Sequence, residues 1–265
     1  TRCTVRSDLN ATLHQLLIRR RQAVDALAFE RILIEASGLA SPGPTVQSIL
    51  ADPFLSSQLS WDAGVALVHA QHMVRQLREY PEASEQIAYA DHIVLNHCDR
   101  CSAKDLDGVE TVVRSCNPNA AIQRTSHAQV DVASLLATRT WDTIWGFDRD
   151  AARLGDAVIT SVATHTHGVG ALSLHSEQPV DLDRLQEWLR GIMDDPNIDI
   201  MRIKGIVRCP QYAESVIVQG VYQWFDMRLA DDGEPQDSIL VVIGRGLQRE
   251  AMRQSWVNCQ ITHKG

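Results

Sequence analysis

The sequence predicts an α/β domain with a mainly parallel sheet and helices on both faces, followed by a smaller α+β domain. In the first half, short apolar runs alternate with amphipathic stretches, and these runs are continuous, as is typical of buried parallel strands. Beyond residue 163 the strands become frequent and half-exposed, which favours an antiparallel sheet. A chain of 265 residues that is 45% hydrophobic is also long enough for two cores.

The elements of the first half follow one another as an α/β fold requires. Asp8 is the predicted N-cap of a helix that runs to about Ala26, with leucines on one face. Predicted strands lie at Ile32–Ile34, 64–70, 91–95 and 120–125, and further predicted helices near 41–50, 71–79, 82–90, 102–115 and 131–137. Ligands of parallel sheets bind at the carboxyl ends of the strands, where Glu35, His69 and Asn96–Asp99 fall.

The second half begins after a stretch without periodicity. We expect a first domain over 1–140, a linker over 141–163 and a second domain over 164–259. The predicted strands of the second domain are "GALSLHS" (170–176), "MRIKGIV" (201–207), "VIVQGVYQWF" (216–225) and "ILVVIGR" (239–245). An amphipathic helix is predicted at 181–195 and a closing helix at 247–259, so this domain is α+β.

Composition excludes several classes of protein. A net charge of -8 argues against a nucleic-acid partner, because phosphates need a basic surface. The sequence has no apolar run of about 18 residues and opens with no charged-then-apolar leader, so we expect a soluble, cytoplasmic protein with no membrane partner. Its six cysteines are scattered, which favours reduced thiols over a disulfide framework.

The stretch "ILIEASG" (32–38) suits a nucleotide site. At a strand end, the carboxylate of Glu35 can hold a water bound to magnesium, and the amide of Gly38 can approach a terminal phosphate. The alternative is an ordinary strand-to-loop transition with a solvated glutamate. A catalytic serine is disfavoured, because "EASGLAS" lacks the Gly-x-Ser-x-Gly frame of a nucleophile elbow.

The stretch "LNHCD" (95–99) is open to two interpretations. A carboxylate such as Asp99, three residues after Asn96, can accept two N–H groups from a guanine edge, with His97 in a position to stack on the purine. Alternatively, His97 with the pair Cys98 and Cys101 could bind zinc, although a zinc site usually needs a second ligand pair. Separately, "THTHG" places His165 and His167 at a spacing that can chelate a metal.

Taken in order, eight stretches resemble the CobW-type proteins. The first four resemble their GTPase domain: "CTVRSDL" (3–9), "ILIEASGLASP" (32–42), "QIAYADHIVLNHCD" (86–99) and "NPNAAI" (117–122). The last four resemble their C-terminal domain: "HTHGV" (165–169), "RIKGIV" (202–207), "VQGVYQ" (218–223) and "SILVVIGRGL" (238–247). The resemblance extends from Cys3 to about Cys259.

The resemblance implies a P-loop GTPase that couples GTP binding and hydrolysis, with Mg²⁺, to the delivery of zinc or cobalt to a metal-requiring client protein. Glu35 then matches the Walker B carboxylate and Gly38 the switch glycine, which are the implied catalytic positions. Asn96, His97 and Asp99 match the guanine-specificity motif. Cys3 matches the last cysteine of the family's metal motif, and a homo-oligomer is compatible with the family.

Four motif positions and one whole motif depart from the family pattern. His97 stands where the guanine motif has lysine, and Arg2 stands where the metal motif has a cysteine. Ser41 and His69 stand where the family has aspartates. No Gly-x-x-x-x-Gly-Lys-Ser/Thr occurs, so we expect these residues to bind GTP weakly and to hydrolyse it negligibly without a phosphate-binding loop upstream.

Two hypotheses follow from the sequence. The chain is either most of a GTP-hydrolysing metallochaperone or a degenerate, non-hydrolysing protein of the same fold that binds a metal or a client. In both, we expect Arg202 and Lys204 to face the GTPase half or a partner, with His165 and His167 at the hinge.

Overall fold

A computed structural model describes residues 2–22, 29–136, 167–230 and 237–261; for 2–7 and 136 it describes the backbone alone. The chain divides into two compact units, 1–61 and 62–265. The helices are α1 (Arg2–Arg21), α2 (Gly43–Leu50), α3 (Pro53–Gln58), α4 (Met73–Glu79), α5 (Pro81–Tyr89), α6 (Ala103–Cys116), α7 (Val132–Leu136), α8 (Leu182–Asp194) and α9 (Arg249–Asn258). The strands are β1 (Val65–His69), β2 (His92–Asn96), β3 (Ala121–Arg124), β4 (Gly170–Ser176), β5 (Asp199–Val207), β6 (Val216–Val221), β7 (Trp224–Leu229) and β8 (Ser238–Arg245).

The first unit contains α1, α2 and α3 around a small apolar core. Leu13 and Leu17 of α1 pack with Ile49 and Leu55 in that core. The predicted N-cap at Asp8 is wrong, because α1 already begins at Arg2 and Asp8 lies inside it. The preference of Asp for an N-cap position is a weak local signal. Packing of the buried leucine face stabilises a longer helix that continues through Asp8.

The strand predicted at Ile32–Ile34 is also wrong. Residues 31–37 adopt no regular secondary structure, and the described part of the first unit contains no strand. Leu33 is 81% exposed and Ile34 is 43% exposed, so the apolar run is not buried. A β-strand is stabilised by hydrogen bonds to a neighbouring strand, and the described residues of this unit offer none.

The second unit begins with a parallel sheet in the order β1-β2-β3. In its register His69 lies opposite Asn96, and Leu95 lies opposite Arg124. Helices α4, α5 and α6 contribute side chains to one core with the sheet; among its fully buried members are Leu77, Ile87, Ile93 and Leu95. These strands were predicted from their continuous apolar runs, and the parallel sheet confirms that prediction.

The rest of the second unit is an antiparallel sheet in the order β4-β8-β5-β6-β7. Helices α8 and α9 pack on one of its faces, and Leu185, Leu189 and Trp256 are buried there. The stretch predicted as one strand over 216–225 is instead a hairpin, β6 and β7, whose two-residue turn is Tyr222–Gln223. Tyr222 has a φ of 55°, a value that turns usually assign to Gly or Asn, so the sequence carried no turn signal there.

The other face of the antiparallel sheet contacts the part of the same unit that contains β1, β2 and β3 with helices α4, α5 and α6. We name this part the parallel half. Ala88 and Tyr89 of α5 pack with Met201, Val241 and other apolar residues of this face. Buried Arg202 donates hydrogen bonds to the carbonyl oxygen of Tyr89 and to Asp91, and Lys204 donates to the same carboxylate. The two cations therefore face the parallel half, which belongs to the predicted GTPase-like region, as we expected from the sequence.

Candidate functional site

Three loops meet at one edge of the parallel sheet. They follow β1, β2 and β3, which are adjacent and parallel, so the carboxyl ends of the strands lie side by side. We name residues 97–102 the β2 loop and residues 125–131 the β3 loop. This edge is where ligands of open α/β sheets bind.

Asn96 joins the β2 loop to the β3 loop. Its side chain is buried, and its Oδ1 accepts a hydrogen bond of 2.9 Å from the backbone N–H of Ala128. A second link runs from the N–H of Cys98 to the carbonyl oxygen of Thr125, at 3.1 Å. His127 and Ala128 have φ values of 55° and 52°, so the β3 loop turns tightly to present the Ala128 N–H. Asn96 thus has a structural role in fixing the two loops.

Asp99 lies exposed at the tip of the β2 loop. Its backbone N–H donates to the Ser126 hydroxyl at 3.3 Å. A hydrogen bond from Ser126 to the carboxylate is the main cause of a lowered pKa of Asp99. The group is therefore ionised at neutral pH, when both oxygens act as acceptors. Such a carboxylate can accept two neighbouring N–H groups from a ligand.

His97 belongs to a stack of three imidazoles. Its ring lies 4.2 Å from the ring of His69, centroid to centroid, and His69 lies 4.2 Å from His72 on its other side. The interplanar angle is 25° in both pairs. Burial lowers the pKa of His69, and the neighbouring His72 and His97 lower it further. His97, with a φ of 63°, is directed towards β1 by this contact.

The zinc interpretation of the β2 loop is not supported by the geometry. Cys98 packs against the apolar core beside β2, and its Sγ lies 3.0 Å from the carbonyl oxygen of Leu95. His97 stacks on His69 and does not converge with Cys98 and Cys101. Within the described residues, no group of three or more His, Cys, Asp or Glu side chains is arranged to hold a metal ion.

The remaining predicted site residues lie elsewhere or outside the described part. Glu35 and Gly38 lie in the irregular segment of the first unit, where Ala40 N–H donates to Ser37 O at 2.8 Å. Cys3 lies in α1, and only its backbone is described. His165 falls outside the described residues. Exposed His167 has a φ of 48°, and its carbonyl oxygen accepts from Arg245 Nε at 3.1 Å.

Two contributors to this edge, His72 and Ser126, were missed by the sequence reasoning. His69 was placed at a strand end where ligands bind, but its stacking on His72 and His97 was not foreseen. The useful signal for Ser126 was positional, because a hydroxyl directly after β3 falls at the same sheet edge as Asp99. The stacking of His69 depends on side-chain conformation, for which the sequence offered no pattern.

The described elements form an α/β domain with a parallel sheet, followed by an α+β domain with an antiparallel sheet. Comparison with protein families identifies a family for both domains. Residues 1–124 match the CobW/HypB/UreG nucleotide-binding domain, and residues 169–260 match the cobalamin synthesis protein cobW C-terminal domain. The chain therefore belongs to the CobW family.

Individual relatives are distant in sequence but are matched over most of the chain. The zinc chaperone YjiA of Escherichia coli is 23% identical over 239 residues, which cover 87% of this chain and 71% of YjiA. The zinc chaperone CobW of Pseudomonas aeruginosa is 28% identical over 286 residues, covering 94% and 70%. The zinc-regulated GTPase metalloprotein activator 1 of Schizosaccharomyces pombe is 24% identical over 285 residues, covering 93% and 66%.

A solved structure shows the same fold. The Zn(II)-bound YjiA GTPase from E. coli superposes with a TM-score of 0.73 at 20% identity. The match covers 94% of this chain and 76% of that chain. Separately, none of the helices that the structure describes has the length and apolar character to cross a bilayer.

Proposed function

We propose that this chain is the larger part of a GTP-binding metallochaperone that delivers zinc, or a similar ion such as cobalt, to a metal-requiring client in the cytoplasm. The carrying observation is the arrangement of Asn96 and Asp99 at the sheet edge. Family membership and relatives that bear the names of zinc chaperones and GTPase activators support it. A homo-oligomer remains compatible with this proposal.

The base of the nucleotide is recognised by the β2 and β3 loops. Asp99 accepts the ring N–H and the exocyclic amine of guanine, a pair of donors that adenine does not present. The Ser126 hydroxyl orients the carboxylate and favours its charged form. Asn96 holds the two loops together through Ala128 and does not need to touch the base.

This chain has fewer groups to bind the phosphates of the nucleotide than to bind its base. Glu35 and Gly38 are the proposed contacts to a magnesium-bound water and a terminal phosphate. The sequence contains no Gly-x-x-x-x-Gly-Lys-Ser/Thr, whose amide cradle and lysine supply most of the binding to phosphates. We therefore assign guanine recognition to this chain and make hydrolysis conditional on a phosphate-binding loop.

The metal is cargo in this proposal and not a resident cofactor. Cys3, His165 and His167 are the proposed contacts to it, because thiolate and imidazole groups are the usual protein ligands of zinc. His167 is exposed and can be reached by an ion or a client. The hydrogen bond from Arg245 goes to the backbone carbonyl oxygen of His167 and does not involve the imidazole.

A second candidate is a non-hydrolysing relative that keeps the fold and binds a metal or client. It is favoured by His97, which replaces the lysine of the guanine motif and stacks on His69. The long aliphatic stem that would lie along a purine is thereby absent.

One experiment separates the two candidates. A chain extended upstream to include a phosphate-binding loop is assayed for GTP hydrolysis with and without zinc, beside its Asp99→Asn variant. The metallochaperone proposal predicts GTP turnover that responds to zinc and is lost in Asp99→Asn. Zinc binding without any GTP turnover would support the degenerate candidate, and turnover unaffected by Asp99→Asn would contradict the proposed base contact.

A further inference from the structure

Cys98 and Cys101 form a Cys-x-x-Cys pair across a single turn of the β2 loop. The backbone N–H of Cys101 donates to the carbonyl oxygen of Cys98 at 3.2 Å, and residues 98–100 form one turn of 3₁₀-helix. A turn closed by such a bond holds its end Cα atoms within about 7 Å, and residues three apart in a 3₁₀-helix lie on one face. A disulfide needs Cα atoms about 4.4 to 6.8 Å apart, so the backbone suits one.

Both thiols also contact backbone carbonyl oxygens that precede this turn. Cys98 Sγ lies 3.0 Å from Leu95 O, and Cys101 Sγ lies 3.9 Å from His97 O. Both side chains pack against the core of the parallel half while remaining half-buried. Burial raises the pKa of Cys101, and the nearby Cys98 raises it further.

Other cysteines whose side chains are described differ from this pair. Cys116, Cys209 and Cys259 are at most 2% exposed. Burial raises the pKa of the Cys116 thiol to about 12 and those of Cys209 and Cys259 to about 11. Such thiols are inert towards small disulfides, because the reactive form is an accessible thiolate. They serve as internal controls for Cys98 and Cys101.

We propose that Cys98 and Cys101 form a reversible intrachain disulfide by exchange with a low-molecular-weight disulfide such as oxidised glutathione. The Cys98 thiolate attacks one sulfur of the small disulfide, forms a mixed disulfide and expels one small thiolate. The Cys101 thiolate then attacks Cys98 Sγ and expels the second. Two electrons pass from the cysteine pair to the small disulfide, and the two protons of the cysteines end on the two small thiols.

Burial raises the pKa of Cys101 and so lowers the fraction of that residue present as thiolate. Within this proposal the first attack is therefore assigned to Cys98. The bridge requires Cys98 Sγ to leave Leu95 O and Cys101 Sγ to turn towards it. Asp99 lies inside the ring that closes, so its hydrogen bond with Ser126 is disturbed. Oxidation therefore displaces the carboxylate to which we assign guanine recognition; this consequence, unlike the disulfide, rests on the proposed function.

The disulfide is tested on the full 265-residue chain in glutathione buffers of increasing oxidised fraction. After acid quenching and alkylation, peptide mass spectrometry should show a loss of about 2 Da, the two thiol hydrogens, in the peptide with both cysteines. Cys98→Ser and Cys101→Ser should each prevent it, and Cys101→Ser should stop at a glutathione adduct on Cys98. Adducts on both cysteines without a bridge, or a bridge that forms only in denaturant, would overturn the proposal.

The effect on the loop is tested without nucleotide. In ¹⁵N-labelled protein, oxidation should shift the backbone amides of Asp99 and Ser126, and dithiothreitol should restore them. A disulfide that forms while the Ser126 amide stays in place would overturn the link to the loop and leave the disulfide standing. If the reduced chain fails to bind GDP, the proposed function fails, and neither readout of the disulfide changes.

Discussion

The Asp91→Asn substitution removes the negative charge that two buried cations share. The side chain of Asp91 is 3% exposed, and those of Arg202 and Lys204 are 6% and 17% exposed. The second carboxylate oxygen accepts from the Gly64 N–H at 2.8 Å, a bond that an asparagine oxygen can keep. The substitution therefore isolates the loss of charge between the parallel half and β5.

The expected destabilisation is several kcal/mol. Breaking a buried ion pair by removing one partner costs about 3–5 kcal/mol, because the remaining charge is left uncompensated. The pKa of Asp91 gives a second value: burial raises it, but Arg202 and Lys204 outweigh burial and lower it from 3.8 to about 2. At about 1.4 kcal/mol per pKa unit, that shift corresponds to about 2–3 kcal/mol. We expect about 3 kcal/mol.

Urea unfolding followed by tryptophan fluorescence measures this change. The matched control is Asp107→Asn, since Asp107 pairs with Arg124 at 2.5 Å but has a 69% exposed side chain. That surface pair should contribute less than about 1 kcal/mol. A loss of unfolding free energy in Asp91→Asn no larger than in Asp107→Asn would refute the reasoning about the buried charges.

The same substitution should alter the dependence of stability on pH. The folded pKa of Asp91 is lowered, so its contribution is fully present above the unfolded pKa and is lost as pH falls through the folded one. In the parent chain that part of the unfolding free energy should disappear between about pH 4 and pH 2. The Asp91→Asn variant should lack this component, whereas Asp107→Asn should keep it.

Three further predictions concern the sites. Asn96→Ala leaves the Ala128 N–H without its acceptor, so unfolding free energy should fall by about 1–3 kcal/mol, and amide exchange at Ala128 should speed up; unchanged exchange would contradict the role of Asn96. Calorimetry of the 265-residue chain in magnesium buffer should give a GTP dissociation constant no tighter than about 1 mM, or about -4 kcal/mol, and micromolar binding would contradict this. Replacing His165 and His167 by alanine should lower zinc stoichiometry without changing the circular dichroism spectrum; unchanged stoichiometry would make both ordinary residues.

The elements that could be predicted from the sequence are those whose signal is local. The runs that became β2 and β8 are buried almost throughout, and a continuous apolar run records that directly. Ile32–Ile34 has the same kind of run but no neighbouring strand among the described residues of its unit, and a single sequence does not reveal the partner. The turn at Tyr222 was missed because its residues carry no turn preference.

The residues of the candidate site also divide into those that a local pattern indicates and those that only the fold brings together. The spacing of Asn96 and Asp99 is local and indicated a base-binding loop, although that role stays a prediction. Ser126 and His69 reach the loop only through the parallel register of the sheet, which a linear pattern shows indirectly. The pairing of Asp91 with Arg202 joins residues 111 positions apart. The resemblance to a family indicated that Arg202 and Lys204 face the GTPase-like part of the chain. It did not indicate that Asp91 is their partner.

The central claim is that the β2 and β3 loops read guanine, and a nucleotide titration of ¹⁵N-labelled protein tests it most directly. GDP at millimolar concentration should shift the backbone amides of 96–99 and 126–128, and ADP should leave them nearly unchanged. Asp99→Asn should lose the response to GDP and gain one to xanthosine diphosphate, because an asparagine N–H can donate to the extra carbonyl of xanthine. Equal shifts with ADP, or a GDP response that survives in Asp99→Asn, would contradict the account.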